Sequence, residues 1–396
     1  MINTELQISG TIAGVDPHAW DTVTADSSVF ISRPCLAALE QSGVPGMGHR
    51  YLLLRRDNAP VLAMSVQIMD ISGKRLASST PGTCGTGAPS VLSRVAAGLR
   101  DAVLLAMGGR VAVCGNFFST GPHGLAFAPG VDPVLAWPLA VEALQTLRTR
   151  DSLAQTCGYT MFKDIPPEWH AAGARLRADR FHSLQTEPDM VLELQPDWRS
   201  HEDYLGALKA KYRKAAREIF DGVTDAGFDV APLDDVSAHA ERIYGLYHNV
   251  ESRAAVRLAS FGPGYLPALA AALGEGRFRC LAVRRGGELS GFMVVVKDGG
   301  DAFAYYAGLD YAMNAHTPVY HRLLHAVIGQ ALEWRCRRVC FGRTALDAKA
   351  RLGARPVPLS TWFRRENPLL NFAGGALLAL IPPAGAPVRH PFKDSP

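Results

Sequence analysis

The chain has 396 residues, of which 48% are hydrophobic and 20% are charged, and its formal net charge is +4. This composition is ordinary for a folded globular protein, and at about 100–200 residues per domain the length predicts two domains. The positive excess is too small to indicate DNA binding through overall charge, so we expect no DNA partner.

The cysteines and the N-terminus bear on where the protein works. The 7 cysteines form no CxxC pair, which argues against a disulfide framework or a zinc site and favours reduced thiols. The N-terminus has no basic segment followed by an apolar one, and no run approaches the ~20 apolar residues of a membrane span. We therefore expect a cytoplasmic protein without a signal peptide or integral membrane association.

The first half, residues 1–188, is predicted to be a mixed α/β domain. Two apolar runs flank turn residues 57–60 and indicate a hairpin. The remaining predicted elements are a loop at 78–90, helices at 91–106 and 133–150, and strands at 111–118 and 158–163.

The second half, residues 189–366, shows clearer periodicity. A helix at 201–220 precedes three strands whose short Gly-containing links predict an antiparallel meander over 279–309. A helix from Pro318, a strand at 339–341, a short helix at 347–352 and a strand at 356–364 follow. Residues 367–396 form a tail rich in Gly, Pro and Ala that is expected to pack loosely or wrap the surface.

The helix at 201–220 carries the first candidate binding site. Lys209, Arg213 and Arg217 share one face, opposite an apolar stripe. Several cations on one face suit a polyphosphate, such as coenzyme A (CoA) or the end of a tRNA. A solvated surface with no ligand is the alternative interpretation.

A second candidate is the start of the helix that follows the meander. Thr317 is predicted to cap this helix, with Pro318 at its first position. A helix N-terminus can hold an anion through its unpaired N–H groups, although every helix has one.

The third candidate is the polar turn that follows the strand at 339–341. Arg343 and Lys349 lie there, and binding groups often follow a strand end. Lys349 would supply positive charge to a developing oxyanion or a phosphate. Alternatively, this is a solvated helix in which Asp347 and Arg351 pair.

One motif is a decoy for a metal site. His321 and His325 have i, i+4 spacing but lack the Glu of a zinc motif. They are expected to lie opposite the apolar stripe of their helix, and we predict no metal.

The second half resembles the acetyltransferase (GNAT) superfamily, in the FemAB-like or BioF2-like branch related to Fem-type peptidyl transferases. The resemblance rests on Tyr204-Leu205 with 211–214, on Tyr-Tyr-Ala-Gly-Leu-Asp-Tyr at 305–311, and on Phe-Gly-Arg-Thr at 341–344 followed by Lys349. It implies an α/β (α+β) protein of two tandem GNAT-like domains. Each would have a mixed, largely antiparallel sheet flanked by helices, and the first would be degenerate.

The resemblance also implies an N-acyltransferase, with acyl-CoA or aminoacyl-tRNA as co-substrate and no tightly bound cofactor. GNAT enzymes that use acetyl-CoA usually carry a glycine-containing loop where this chain has residues 314–319, which contain no glycine. Fem-type enzymes also lack that loop and carry a Phe-Lys pair, whose counterpart here is Ala348-Lys349.

The site roles expected from these observations are as follows. Lys349 and Arg343 stabilise charge, Tyr305 or Asp310 relays the proton of the amine acceptor, and the donor's phosphates lie near Lys209, Arg213, Arg217 and Thr317. A small molecule or a peptide would supply the amine. A non-catalytic GNAT-like binding module remains the alternative from another class.

Overall fold

The computed structural model describes residues 3–71, 108–253, 259–378 and 385–393. The predicted loop at 78–90 and helix at 91–106 lie outside the described residues. The chain divides into two compact units. The first unit comprises 1–186, 254–260 and 358–384, and the second comprises 187–253, 261–357 and 385–396.

The first unit contains a sheet whose strand order is β1-β2-β3-β4-β6-β13, with β5 paired to β3. All pairings are antiparallel except that of β4 with β6. Its strands are β1 (Thr4–Ser9), β2 (Gly48–Arg56), β3 (Ala59–Ile71), β4 (Gly109–Cys114), β5 (Leu125–Phe127), β6 (Tyr159–Ile165) and β13 (Arg355–Arg365). Its described helices are α1 (Pro17–Thr24), α2 (Arg33–Gln41), α3 (Pro133–Arg150), α4 (Ser152–Gln155), α5 (His170–Ala178) and α12 (Pro368–Leu378).

The predicted hairpin, strands and helix of this half are confirmed. Residues 51–54 of β2 are all apolar and buried because both faces of the strand are covered there. Leu52 and Leu54 pack in a core with Trp137 of α3, whereas Tyr51 and Leu53 pack with the α1 side of the sheet.

The second unit contains a sheet of order β7-β12-β11-β10-β9-β8, in which the pairing of β11 with β12 is parallel and the others are antiparallel. Its strands are β7 (His182–Glu193), β8 (Phe228–Pro232), β9 (Phe278–Arg285), β10 (Glu288–Asp298), β11 (Asp301–Leu309) and β12 (Arg338–Cys340). Its helices are α6 (His201–Ala207), α7 (Ala210–Asp225), α8 (Ala240–Glu251), α9 (Tyr265–Leu273), α10 (Val319–Glu333) and α11 (Leu346–Arg351).

The predicted meander and its following helix are confirmed as β9 to β11 and α10. The apolar stripe of α10 is buried, and Leu323, Val327 and Ile328 pack in one core with Leu281 and Val295 of the sheet. The predicted domain boundary falls within β7, where the chain passes from the first unit to the second.

The prediction of a single helix over 201–220 is wrong. Leu208 and Lys209 are extended, with ψ angles of 144° and 148°, and separate α6 from α7. The C-terminal segment causes the break, because Leu208 forms a β-bridge with Phe392. The Lys209 N–H donates to the Pro391 carbonyl at 2.8 Å, and the Lys393 N–H donates to the Ala207 carbonyl at 3.0 Å. Residues 385–393 thus wrap the second unit.

Candidate active site

Strands β11 and β12, the third and second strands of the second unit's sheet, open a gap between them. They pair only from Asp301–Arg338 to Phe303–Cys340, although β11 continues to Leu309. Beyond β12 the chain follows β7 instead, since the Phe341 N–H donates to the Met190 carbonyl at 2.9 Å. The two parallel strands therefore diverge where the polar turn at 342–345 begins.

This turn has a strained backbone. Gly342, Thr344 and Ala345 have φ angles of +71°, +68° and +45°, in the left-handed region. For a residue with a side chain this conformation costs on the order of 1–3 kcal/mol, and such strain concentrates at functional sites. The surrounding structure must hold Thr344 and Ala345 in place, and α11 begins directly after them.

Lys349 of α11 supplies much of that support. Its side chain is buried, and its Nζ donates to the carbonyls of Gly342 at 3.0 Å and Arg343 at 2.5 Å. Burial lowers the pKa of Lys349 to about 8, and the nearby carboxylates of Asp189 and Glu187 oppose that shift. Asp189 is itself buried and accepts the Gly342 N–H at 2.8 Å.

The structure therefore brings the Lys349 ammonium to the backbone carbonyl of Arg343. Asp347 and Arg351 do pair at 2.8 Å, but Lys349 is buried, so the alternative of a wholly solvated helix does not describe α11. Sequence reasoning did not find Asp189, whose only signal is an acidic residue directly before the apolar run of β7.

Tyr305 lies on β11 in an aromatic cluster that we call the tyrosine cluster, formed by Tyr247, Phe261, Tyr265, Tyr305 and Tyr306. The hydroxyl oxygens of Tyr305 and Tyr265 are 2.6 Å apart. The Tyr306 ring packs edge-on against Tyr247 and Phe261, and burial raises its pKa well above the ordinary value. Sequence reasoning found only Tyr305 of the hydroxyl pair, because Tyr265 is 40 residues distant along the chain.

A glycine on β11 brings this cluster together. A Cβ added at Gly308 would lie 2.7 Å from the backbone of Leu246 and Tyr247 in α8. Helix α8 can therefore approach β11 only because residue 308 has no side chain. This explains the Ala-Gly that follows Tyr305-Tyr306 in the sequence.

Asp310 is held at the end of β11. It accepts N–H groups from Met313 and Ala312, both at 3.1 Å, and pairs with Arg242 at 2.9 Å. The Met313 hydrogen bond is the main cause that lowers the pKa of Asp310, and Arg242 adds to it. A carboxylate stabilised in this way is a weak base, so these contacts favour a structural role in the turn.

The predicted cap of α10 is wrong. Helix α10 begins at Val319 after Pro318, and no side-chain hydrogen bond caps it. The ψ angle of 45° at Pro318 keeps that residue outside the helix, and the Val319 N–H donates to the carbonyl of Thr317 at 2.8 Å. Thr317 therefore lies outside the helix as well.

The basic residues near α7 do not form one uniform face. The Lys209 Nζ donates to the His390 carbonyl at 3.0 Å, and Arg213 donates to the carbonyls of Gly206 and Leu208. Both side chains therefore hold the C-terminal segment or the end of α6. Arg217 is exposed to solvent, as is Lys214, which pairs with Glu218 at 3.8 Å.

Within the described part of the chain, no group of three or more His, Cys, Asp or Glu side chains is placed to bind a metal. His325 is buried, contrary to the expectation that it lies opposite the apolar stripe. Its Nδ1 is 3.2 Å from Nε2 of His201, and burial lowers the two pKa values to about 3 and about 4 respectively. His325 contacts the rings of Phe220 and Tyr204.

Part of the second half of the chain matches the model of a known family. Residues 207–350 match the family model described as an acetyltransferase (GNAT) domain. The second half of the chain contains a GNAT acyltransferase domain. Strands β8 to β12 with α8 to α10 lie within the matched residues, and so do the diverging strands, Lys349 and the tyrosine cluster.

One solved structure resembles most of the chain in fold, and a second is reported with a lower score. The crystal structure of FemX is 12% identical, covers 93% of this chain and 100% of its own, and has a TM-score of 0.56. A tandem GNAT protein from the clavulanic acid biosynthesis pathway is 14% identical, with 92% and 99% of the two chains covered and a TM-score of 0.46. A search of curated protein sequences finds no significant match. The predicted α/β fold class and the Fem-like GNAT resemblance are confirmed.

No helix in the described ranges combines the length and the apolar composition that crossing a membrane requires.

Proposed function

We propose that the gap between β11 and β12 holds the acyl donor and that Lys349 stabilises the charge developing during transfer to an amine. The observation that carries the proposal is the buried Lys349 at the strained turn where the two strands diverge. A buried cation at a strand end acts in a low dielectric, where it stabilises negative charge more strongly than in water.

The transfer itself comprises three events that the protein must support. The amine nitrogen attacks the acyl carbonyl, the bond from that carbon to the donor breaks, and the amine loses a proton. Lys349 lies one turn along α11 from Ala345, and its ammonium already contacts the turn's carbonyls. It is therefore placed to add positive charge near an oxyanion or a leaving group at this turn.

The tyrosine cluster is our proposed acceptor side of the site. Tyr305 belongs to β11, the strand that borders the gap, and its hydroxyl oxygen lies 2.6 Å from that of Tyr265. Two coupled hydroxyls can pass a proton from one to the other, which gives the amine proton a route away from the nitrogen. Asp310 is less suited to this role because its pKa is lowered by its backbone and Arg242 contacts.

The donor that we propose first is an acyl-CoA, the co-substrate of GNAT domains. The structure at the start of α10 favours the aminoacyl-tRNA alternative. Residues 314–319 contain no glycine, Pro318 has no N–H, and the Val319 N–H already donates to Thr317. The start of α10 thus offers fewer backbone donors to a pyrophosphate than an ordinary helix N-terminus.

The direct test supplies acetyl-CoA, longer acyl-CoAs and aminoacyl-tRNAs together with candidate amines. Turnover with a CoA thioester supports the first donor, and turnover only with aminoacyl-tRNA supports the second. If calorimetry detects no binding of any donor and no turnover occurs, the chain is a non-catalytic binding module and the proposal fails. Native mass spectrometry of freshly purified protein would also reveal a retained CoA.

A salt titration separates the roles of the basic residues if tRNA is the donor. Arg217 is exposed, so Arg217→Ala should make the log–log salt slope shallower by about 0.7, as expected for one single-strand phosphate contact. Arg213→Ala should instead lower stability, because Arg213 donates to carbonyls at the end of α6. An unchanged slope in Arg217→Ala would remove α7 from the donor site.

A further inference from the structure

Helix α12 of the first unit presents apolar side chains to solvent. Leu369 and Phe372 are 81% and 79% exposed, and Leu370 is 48% exposed. Its polar Asn371, in contrast, is buried: its Oδ1 accepts the Arg365 N–H and its Nδ2 donates to the Arg180 carbonyl, both at 2.9 Å. The first turn of α12 is therefore anchored by a polar side chain and exposes its hydrophobic ones, the reverse of an ordinary surface helix.

Positive charge surrounds this anchor. The two segments that Asn371 contacts, residues 175–180 and 364–366, contain five arginines and two acidic residues, a net charge of +3. Arg180 and Arg177 are exposed. From Asn367 to Val388 the chain has no charged residue at all. The unit therefore exposes apolar side chains of α12 beside segments of net positive charge.

We infer that α12 docks the protein on the surface of an anionic membrane. Apolar side chains that enter the interface and basic residues that face anionic headgroups together give peripheral binding. A second copy of the chain fits less well, because a stable protein interface needs about 800 Å² from each partner and three side chains fall well short of that. The inference is independent of the acyl donor and acceptor.

Sedimentation with vesicles tests the inference. One set contains phosphatidylcholine alone and the other also contains phosphatidylglycerol. The protein should bind the anionic vesicles at least about tenfold more tightly and be released by salt. Replacing Leu369 and Phe372 together by Ser should weaken that binding at least about tenfold, and Arg180→Gln about fivefold.

Val134 and Leu135 provide a matched control. They are also exposed, at 61% and 66%, but begin α3, and replacing both by Ser should leave vesicle binding unchanged. Unaltered thermal unfolding of each variant shows that the fold is intact. The inference is overturned if anionic vesicles do not bind the wild type, or if the Leu369 and Phe372 replacements bind as well as the wild type. Concentration-dependent dimerisation that those replacements abolish, without vesicle binding, would assign the surface to a second copy instead.

Discussion

Replacing Lys349 by Met tests the centre of the proposed site, because Met keeps most of the apolar stem and removes the charge. The pKa of Lys349 falls from its ordinary value of 10.5 to about 8. At about 1.4 kcal/mol per pH unit, keeping the ammonium charged in the folded protein costs about 3 kcal/mol below pH 8. Removing the side chain also takes a donor from the carbonyls of Gly342 and Arg343, which opposes the gain from removing a buried charge. We therefore expect Lys349→Met to change stability by no more than about 3 kcal/mol.

The kinetic effect should be larger and should fall on one parameter. If Lys349 stabilises charge that exists only during transfer, kcat falls by about 10²–10³ while the donor KM hardly changes. A lysine that only held donor phosphates would raise KM and preserve kcat. Steady-state kinetics with the donor that the turnover assay identifies, alongside thermal unfolding of the same preparation, distinguish the two.

The pH profile separates a charge role from a purely structural one. A cationic Lys349 loses its proton as pH rises, so wild-type kcat should fall as pH rises through about 8. Lys349→Arg keeps the charge at all these pH values and should retain part of kcat without that limb. A folded Lys349→Met variant with wild-type kcat at every pH would refute the reasoning and remove the lysine from the site.

Three further outcomes follow from the packing. Asp189→Asn removes a carboxylate that raises the pKa of Lys349, so the alkaline limb of kcat should move to lower pH; an unmoved limb contradicts this coupling. His325→Phe should make the free energy of unfolding less sensitive to acid. The pKa of His325 is about 3, below the ordinary 6.5, so the neutral imidazole's contribution to stability is complete above pH 6.5 and is lost as pH falls from there towards 3. Measured by urea unfolding, the free energy of unfolding of His325→Phe should decrease between pH 7 and pH 5 by about 2 kcal/mol less than that of the wild type. An equal decrease in the two proteins would disprove this role of His325. Phe392→Ala should lower the free energy of unfolding by about 2–4 kcal/mol, because the Phe392 ring fills the space over Gly353. Val388→Ala is the control: Val388 is 51% exposed, so its replacement should change the free energy of unfolding by under about 0.5 kcal/mol. Equal effects of the two replacements would show that residues 385–393 are not anchored by Phe392.

The glycine at 353 illustrates how the C-terminal segment is fitted to the second unit. Gly353 has a φ of +97°, and a Cβ there would lie 2.3 Å from the Phe392 ring. The same ring contacts Trp198 and Tyr204. The Leu-Gly that follows Lys349 in the sequence therefore has a packing reason, which is to admit the ring of a residue near the end of the chain.

The sequence by itself determined those elements whose signals are local. Three elements depend only on residues that lie close together in the sequence. They are the β9–β10 hairpin with its Gly-Gly turn, the apolar stripe of α10, and the start of α3 at Pro133. The polar turn after β12 could be located for the same reason, because a strand end followed by Arg343 and Lys349 is visible in a short window. The fold class of the protein could be predicted from the order of these elements.

Tertiary structure alone decided what depends on distant residues. Periodicity predicts one helix over 201–220, but Phe392 pairs with Leu208 and breaks it, which also turns Lys209 and Arg213 towards backbone carbonyls. Burial of Lys349 lowers the pKa of that lysine, and the carboxylate that opposes this shift belongs to Asp189 of β7, which lies 160 residues earlier in the chain. A pattern in the sequence reports which residues share a face, whereas the dielectric around a charge and the partner of a backbone group depend on which segments the fold places beside them.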